Sequence, residues 1–322
     1  MKIVSVTMAR NEADVIETFV RHHLQIVDAM IIIDHLSIDK TPEILASIKA
    51  EGAPIDIVKE MRQELVQSEV TTFHMKRAAQ ELEADWVLLL DTDEFLISNE
   101  NTNVRPVFEE LSLGEGYRVP WRSYVPRPDD QLEEQLLFER IQYRRAEELE
   151  PRYKVIVPGV LAAKKNTVVR VGNHGIRYGK KKKQGKVAEH LHLAHFPVRS
   201  VEQITDKVLI GWPARLAGSE QKGKSRNFHL RELFEKLRNN SPITGEHLMA
   251  LALDYALSEN LKGTPQKLVK DRVVSPQGDL KLKYHARSDV NLVSALADLV
   301  EDLALKLAAE REMSIWKRIW RF

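Results

Sequence analysis

Trp86-Val87-Leu88-Leu89-Leu90 is five apolar residues without a polar interruption, and it stops abruptly at Asp91-Thr92-Asp93-Glu94. A run of this length is too short for a buried helix and lacks the alternation of a strand with one wet face, so it reads as a strand covered on both sides. Covering both sides of one strand calls for helices on each face of a mostly parallel sheet. The chain is therefore expected to be α/β, with this strand at the centre of the sheet and the acidic turn at its carboxyl end.

The surrounding sequence agrees. Short β-branched runs at 3–7, 30–34 and 55–58 alternate with helical patterns. Asn11 is placed to cap a helix whose apolar stripe is Val15, Ile16, Phe19, Val20 and Leu24. Thr41-Pro42-Glu43 reads as the start of a second helix, and 71–83 as a third. Beyond Gly114 the short runs at 117–121, 136–143, 153–157, 167–171 and 187–196 predict an antiparallel extension of the sheet. Helical periodicity returns from Asn227, through 247–257 to 290–311. Between these regions, residues 179–186 carry consecutive lysines and read as a flexible basic loop. The expected organisation is a domain over 1–215, divided into a nucleotide-binding half (1–113) and an acceptor and metal half (114–215), with a helical region over 216–322.

Charge and cysteine content narrow the chemistry. Lys and Arg total 48 against 47 Asp and Glu, a formal net charge of +1, which gives no global reason to expect a nucleic-acid partner. With no Cys, thiolate nucleophiles, disulfides and Cys-based zinc sites are excluded. The apolar stretch before Arg10 is too short for a signal peptide or a membrane span, so a cytoplasmic protein is expected. Trp316-Lys317-Arg318-Ile319-Trp320-Arg321-Phe322 interleaves aromatic and cationic residues, which suits a peripheral contact with the inner face of a membrane; the competing reading is a terminal helix docked on its own domain.

Open α/β sheets bind ligands beyond the carboxyl ends of their strands. Asp91, Asp93 and Glu94 stand there, and so do Asp34, Ser37 and Asp39 after the second strand and Thr7, Arg10 and Asn11 from the first. Carboxylates two residues apart suit one hard divalent cation whose remaining positions go to phosphate oxygens and water. The plain alternative is an acidic turn capping the next element. No Gly-x-Gly-x-x-Gly and no Walker lysine loop follows any strand, so dinucleotide-dependent dehydrogenases and P-loop enzymes are disfavoured.

Three stretches, Val6-Thr7-Met8-Ala9-Arg10-Asn11-Glu12, residues 33–41 (Ile-Asp-His-Leu-Ser-Ile-Asp-Lys-Thr) and residues 84–95 ending Asp91-Thr92-Asp93-Glu94-Phe95, resemble successive motifs of the family-two glycosyltransferases, in particular a bacterial branch with an Asp-x-Asp-Glu-Phe turn. His195-Phe196-Pro197-Val198-Arg199-Ser200, with Gln203 and Lys207, is similar to that branch's tail. The resemblance covers about residues 1–212 and departs at His35-Leu36, where the family has Asn or Asp with Gly. It implies the GT-A fold (a Rossmann-like nucleotide-diphospho-sugar transferase), a UDP- or GDP-type sugar donor, Mn²⁺ or Mg²⁺, and inversion at the anomeric carbon. By position it implies that Asp34 contacts the nucleoside, Asp91 the ribose or metal and Asp93 the metal, with His195 as the last metal ligand.

The remaining assignments are reaction requirements matched to candidate residues. His190 and His192 share one strand face and read as a polar face or as ligands; His174 reads as a turn residue or a weaker ligand. A departing nucleoside diphosphate needs cations, for which Lys154, Arg199 and the 180–186 loop are candidates, with Arg77 joining Thr7, Arg10, Asn11, Asp34 and Asp91 in the donor-binding set. The lysine loop is either a lid over the diphosphate or a solvated connection. Transfer with inversion also needs a general base, and Asp129 and Asp130 in a Pro-flanked loop are its candidates. The acceptor is expected to be a saccharide or a lipid-linked sugar. Competing readings are a sugar nucleotidyltransferase, a non-catalytic carbohydrate-binding protein of the same fold, and a metal-dependent hydrolase built on the histidines.

Overall fold

The computed structural model describes residues 1–62, 67–99, 103–130, 134–179, 181–183, 185–217, 228–239, 241–284, 286 and 300. The first half runs β1 (Ile3–Ala9), α1 (Ile16–His23), β2 (Ala29–Asp34), α2 (Thr41–Ala50), β3 (Ile55–Lys59), α3 (Gln67–Gln80) and β4 (Trp86–Leu90). β3, β2, β1 and β4 lie side by side in that order and all parallel. Each crossover is a helix, as a parallel pair requires.

The central strands show why this sequence makes this layer. Trp86, Leu88 and Leu90 face one apolar cluster with Ile3, Phe19 and Val20, while Val87 and Leu89 face another with Val4, Val6, Ile31, Met75 and Ala78. Every residue of β4 is buried. At about 2 kcal/mol for each fully buried large side chain, this strand alone supplies on the order of 10 kcal/mol of gross apolar driving force.

The chain continues through β5 (Glu94–Ser98), α4 (Arg105–Glu110), β6 (Tyr117–Ser123), α5 (Leu137–Arg140), β7 (Tyr143–Arg145), β8 (Tyr153–Pro158) and α6 (Gly159–Ala162). It goes on to β9 (Thr167–Val169), β10 (Ile176–Tyr178), β11 (Lys181–Lys183), β12 (Lys186–Val187) and β13 (Leu191–His195). Among the described residues the main sheet has nine strands, ordered β3-β2-β1-β4-β8-β6-β13-β5 with β12 beside β6. The expected α/β class is present, but the extension is mixed. β8 is antiparallel to β4 and β6, whereas β12 and β13 run parallel to β6. Gly159 permits the step from β8 into α6: a Cβ there would lie 1.8 Å from the carbonyl oxygen of Ala84.

Several local expectations change. Residues 136–142 form the short α5 and a loop, with Leu136, Leu137, Phe138 and Ile141 all turned inward, and a strand, β7, begins only at Tyr143. Asn11 does not cap α1, which begins at Ile16. It takes a left-handed backbone (φ +55°) and ties the loop after β1 to the loop after β2, its N–H donating to Ser37 Oγ and its side-chain oxygen accepting from Ile38 N. The basic loop is partly strand: β11 pairs with β10, and β12 with β6.

α7 (Val201–Ala217) is an unexpected helix that precedes the expected helical region, into which α8 (Phe228–Arg238) and α9 (Gly245–Asp254) fall; the three pack around Val198, Ile204, Val208, Leu233, Leu248 and Ala252. The chain after α9 is mostly extended instead. β14 (Leu268–Lys270) pairs with β7, and an extended strap then crosses α1. Along it Ser275 Oγ meets His22 Nδ1 at 3.0 Å, Gln277 N donates to Gln25, and the backbone N–H groups of Lys283 and Tyr284 both donate to the buried Glu17 carboxylate. No helix among the described residues is long and apolar enough to cross a membrane. The expected helix at 290–311 and the aromatic and basic segment 316–322 lie outside the described residues, apart from residue 300.

Candidate active site

The chain builds β1, β2 and β3 outward in one direction and then returns to place β4 on the other side of β1. This reversal opens a crevice beyond the carboxyl ends of β1 and β4, the position where sheets of this kind take ligands. Arg10, Asn11 and Glu12 leave β1 there, Asp34 ends β2, and the acidic turn leaves β4. Asp34 is buried and accepts from Ser37 N at 3.2 Å. Thr7 is not at this edge; it is fully buried within β1, opposite Leu90 and Ile32.

The turn itself is assembled by register. β5 starts at Glu94 and pairs antiparallel with β13, which sets His195 opposite Glu94. The backbone N–H of Phe196 then donates to the carbonyl of Asp93 at 2.8 Å. His195 thereby arrives with its Nε2 3.8 Å from Asp93 Oδ1, its ring stacked on Trp121 at 3.9 Å between centroids. Burial holds this imidazole at about 3, with Lys154 and Lys207 adding to the effect against the pull of Asp93, so the ring is neutral at physiological pH.

Asp91 and Asp93 differ in surroundings. Lys154, buried on β8, ion-pairs with Asp91 Oδ2 and lies 3.3 Å from Glu94. The other oxygen of Asp91 accepts from Gln67 Nε2 at 3.3 Å and from Asn173 Nδ2 at 3.2 Å. Asn173 reaches it from a 3-10 turn, 171–173, in which Gly172 (φ +77°) and Asn173 (φ +57°) are both left-handed, a conformation Gly and Asn adopt most readily. Burial raises Glu94 well above the ordinary carboxylate range, more than Lys154 lowers it, and its Oε2 accepts from Asp91 N at 2.9 Å.

Asp93 is buried, but its carboxylate has only distant partners: His195 at 3.8 Å and Lys207 at 3.7 Å. Burial alone would raise Asp93, yet Lys207, His195, Arg199 and Lys154 together hold it below the usual range, so it is charged. One carboxylate oxygen and one neutral imidazole nitrogen face each other across a gap too long for a hydrogen bond. That gap suits a divalent cation bonded to each at about 2.1 Å. Among the described residues no group of three or more His, Asp or Glu side chains converges as a metal site would. Asp91, expected as a ligand, does not fit, because Lys154 and two amides occupy its oxygens.

Other expected site residues lie elsewhere. Arg199 is fully buried and engaged by Asp14 (2.7 and 2.9 Å) and Glu12 (2.6 Å), so it braces the loop after β1 rather than facing a diphosphate. Arg77 pairs with Asp56 and Glu81. Asp129 and Asp130 close a turn on Arg127, whose guanidinium lies over Tyr143, and neither has a contact with the acidic turn. His190 is exposed; His192 points to the opposite sheet face from His195, and burial with nearby Arg122 and Arg144 lowers it to about 4. His174 is turned toward β8 and β6, its Nδ1 2.9 Å from Tyr153 O and its ring edge-on to Trp121.

Sequence reasoning missed Gln67, Trp121 and Asn173, which nothing in their spacing distinguishes. Glu12 and Lys207 stood inside the family-like motifs without a role. Burial raises Glu12 to about 7, against Arg199 and Lys207 and with Asp93 and Asp14 adding to it.

No family model matches the chain, and no curated protein matches it. Solved structures with a similar course include TarS (residues 1–349) from S. aureus in complex with UDP, at 10% identity over 81% of this chain and 77% of that one, with a TM-score of 0.36. A mannosyltransferase from Pyrobaculum calidifontis in complex with GDP-Man and Mn²⁺ aligns at 18% identity over 40% of this chain and 36% of that one, TM-score 0.27. Glucosyl-3-phosphoglycerate synthase from Mycobacterium tuberculosis, in complex with Mn²⁺, UDP and glucosyl-3-phosphoglycerate, aligns at 22% identity over 38% and 44%, TM-score 0.25.

Proposed function

We propose that this chain is a metal-dependent glycosyltransferase of the GT-A type that transfers a sugar, with inversion, from a UDP- or GDP-linked donor to a saccharide or lipid-linked acceptor. The single observation that carries this reading is the pair Asp93 and His195, a charged carboxylate and a neutral imidazole 3.8 Å apart at the switch point of the sheet. The resemblance of the first 96 residues and of the tail around His195 to the family's motifs supports it.

Mn²⁺ or Mg²⁺, held by Asp93 and His195, would neutralise charge on the leaving diphosphate. The protein's own charges explain why such help is needed. Asp91 and Asp93 are already balanced by Lys154 and Lys207, and Lys154 also lies 3.3 Å from Glu94, so an incoming diphosphate finds no surplus cation in the turn. Lys154 fixes Asp91 in place, and Asp91 and Asp34 border the crevice where ribose and base would lie. Asn11, Ser37 and Asp39 hold the two loops that wall it. For the base that takes the acceptor proton, Glu12 replaces Asp129 and Asp130. It sits at the crevice, and a carboxyl near 7 is matched to proton abstraction at neutral pH.

Calorimetry with UDP and GDP, each with and without Mn²⁺, tests the proposal. One nucleotide should bind with metal and lose most of its affinity in chelator. Equal binding with and without metal would remove the cation from the Asp93–His195 gap.

A further inference from the structure

Between Glu150 and Glu189 the sequence has no acidic residue and eleven Lys or Arg, which leaves a net charge of −10 on the rest of the chain. The fold gathers much of this segment into one small feature. β9, β10 and β11 form a separate three-stranded antiparallel sheet, with Arg177 in register with Val168 on one side and residue 182 on the other. Val169 and Ile176 anchor one face of it in the apolar cluster under α3. Lys164, Lys165, Arg170 and Arg177 stand exposed around it, and among the described residues none of the four forms an ion pair. Lys154, Lys186 and Arg152, by contrast, are committed to Asp91, Glu115 and Glu150.

This sheet is wired to the acidic turn. Val169 N donates to Thr72 and Val169 O accepts from Ser68, both on α3. Only Arg170 separates β9 from the 3-10 turn whose Asn173 holds Asp91. One aromatic ring lies among the cations: Tyr178, 41% exposed with Lys164 Nζ 5.4 Å from its centroid. A flat ring beside an ammonium group suits a ligand that presents sugar faces and anionic groups together. The acidic remainder of the surface repels a polyanion and would direct it here.

We propose that the β9–β10–β11 face docks a polyanionic glycan, a saccharide chain bearing phosphate, sulfate or carboxylate groups, and leads it to the Asp91–Asp93 turn as the acceptor. The docking stands on the charge distribution; its role as acceptor rests on the transferase reading above. The test uses the full chain, with size-fractionated heparin as the polyanionic probe and dextran, poly-adenylate RNA and phosphatidylglycerol vesicles as alternatives, read by thermophoresis across a salt series. Heparin should bind, weakening as salt rises, and dextran should not. The triple substitution Lys164→Glu, Lys165→Glu, Arg177→Glu should lower heparin affinity by about tenfold or more and flatten the salt dependence, since three exposed cation contacts become repulsive. A Gln version of the same triple, which alters folding least, should show a smaller loss in the same direction. Unchanged heparin affinity in both triples overturns the proposal, as does tighter binding to RNA or to vesicles than to heparin. Nucleotide calorimetry on the same variants separates the two readings. Heparin binding without any nucleotide binding leaves the docking face and removes the transferase, whereas normal nucleotide binding with no heparin binding does the reverse.

Discussion

Replacing Arg199 with Met removes a buried guanidinium that donates to Asp14 at 2.7 and 2.9 Å and to Glu12 at 2.6 Å. Met fills a similar volume, so the loss is electrostatic: two carboxylates keep their buried positions without their shared cation. Breaking a buried pair in this way costs about 3 to 5 kcal/mol. In a protein of this size each kcal/mol lowers Tm by roughly 1.5 °C, so a fall of about 4 to 8 °C is expected. Asp14→Asn in the Arg199→Met background should recover part of it, because one of the two uncompensated carboxylates is then neutral while Glu12 remains. Urea denaturation of the wild type, both single variants and the double variant isolates the coupling. The competing assignment, that Arg199 faces the donor diphosphate, makes the opposite forecast: nucleotide affinity falls and stability barely moves. A loss below about 1 kcal/mol with weakened nucleotide binding would refute the brace.

Asp93→Asn should abolish transfer and the metal dependence of nucleotide binding while leaving Tm within a few degrees, since no hydrogen bond to the carboxylate is lost; a collapse of Tm would instead make Asp93 structural. Glu12, raised to about 7 by burial, must be deprotonated to accept a proton, so kcat/KM should fall as pH drops through about 7 and stay level above it. Glu12→Gln should remove both the activity and this pH limb, and a profile level down to pH 5 would exclude Glu12 as the base.

What could be read from the chain depended on whether the physics was local. The uninterrupted run of β4 announced its own burial on two faces, and the carboxylates beyond it could lie nowhere but the strand end. His195 was legible through the motif around it and not through spacing, since period-two alternation puts it on the same face as Leu191 and Leu193 and by itself marks it as core. Lys154 was named for its charge, but its destination was not, since that depends on β8 returning antiparallel beside β4. Asn173 and Gln67 depend on a turn and a helix start meeting over Asp91, and no pattern in either segment records that meeting. Arg199 misled for a related reason: a cation beside His195 in sequence looks like a phosphate ligand, while its two counter-charges sit about 185 residues away, in the loop after β1. Asn11 misled because a capping residue and a left-handed bridging residue have the same composition.

The strap that crosses α1 has a consequence for how the protein is made. Glu17 and His22 are buried in the first half of the chain, with local partners in Arg21 and Leu96, yet their remaining partners are the backbone of Lys283 and Tyr284 and the hydroxyl of Ser275, 253 residues beyond His22. A ribosome adding roughly 5 to 20 residues per second needs on the order of tens of seconds to cover that distance. Throughout that interval the emerging first half holds a helix whose carboxylate has no strap to accept from and whose apolar flank has no cover. The nascent chain is thus obliged to wait, partly assembled, for residues 275–284 to arrive, and that waiting period is when a chaperone or a protease would find it.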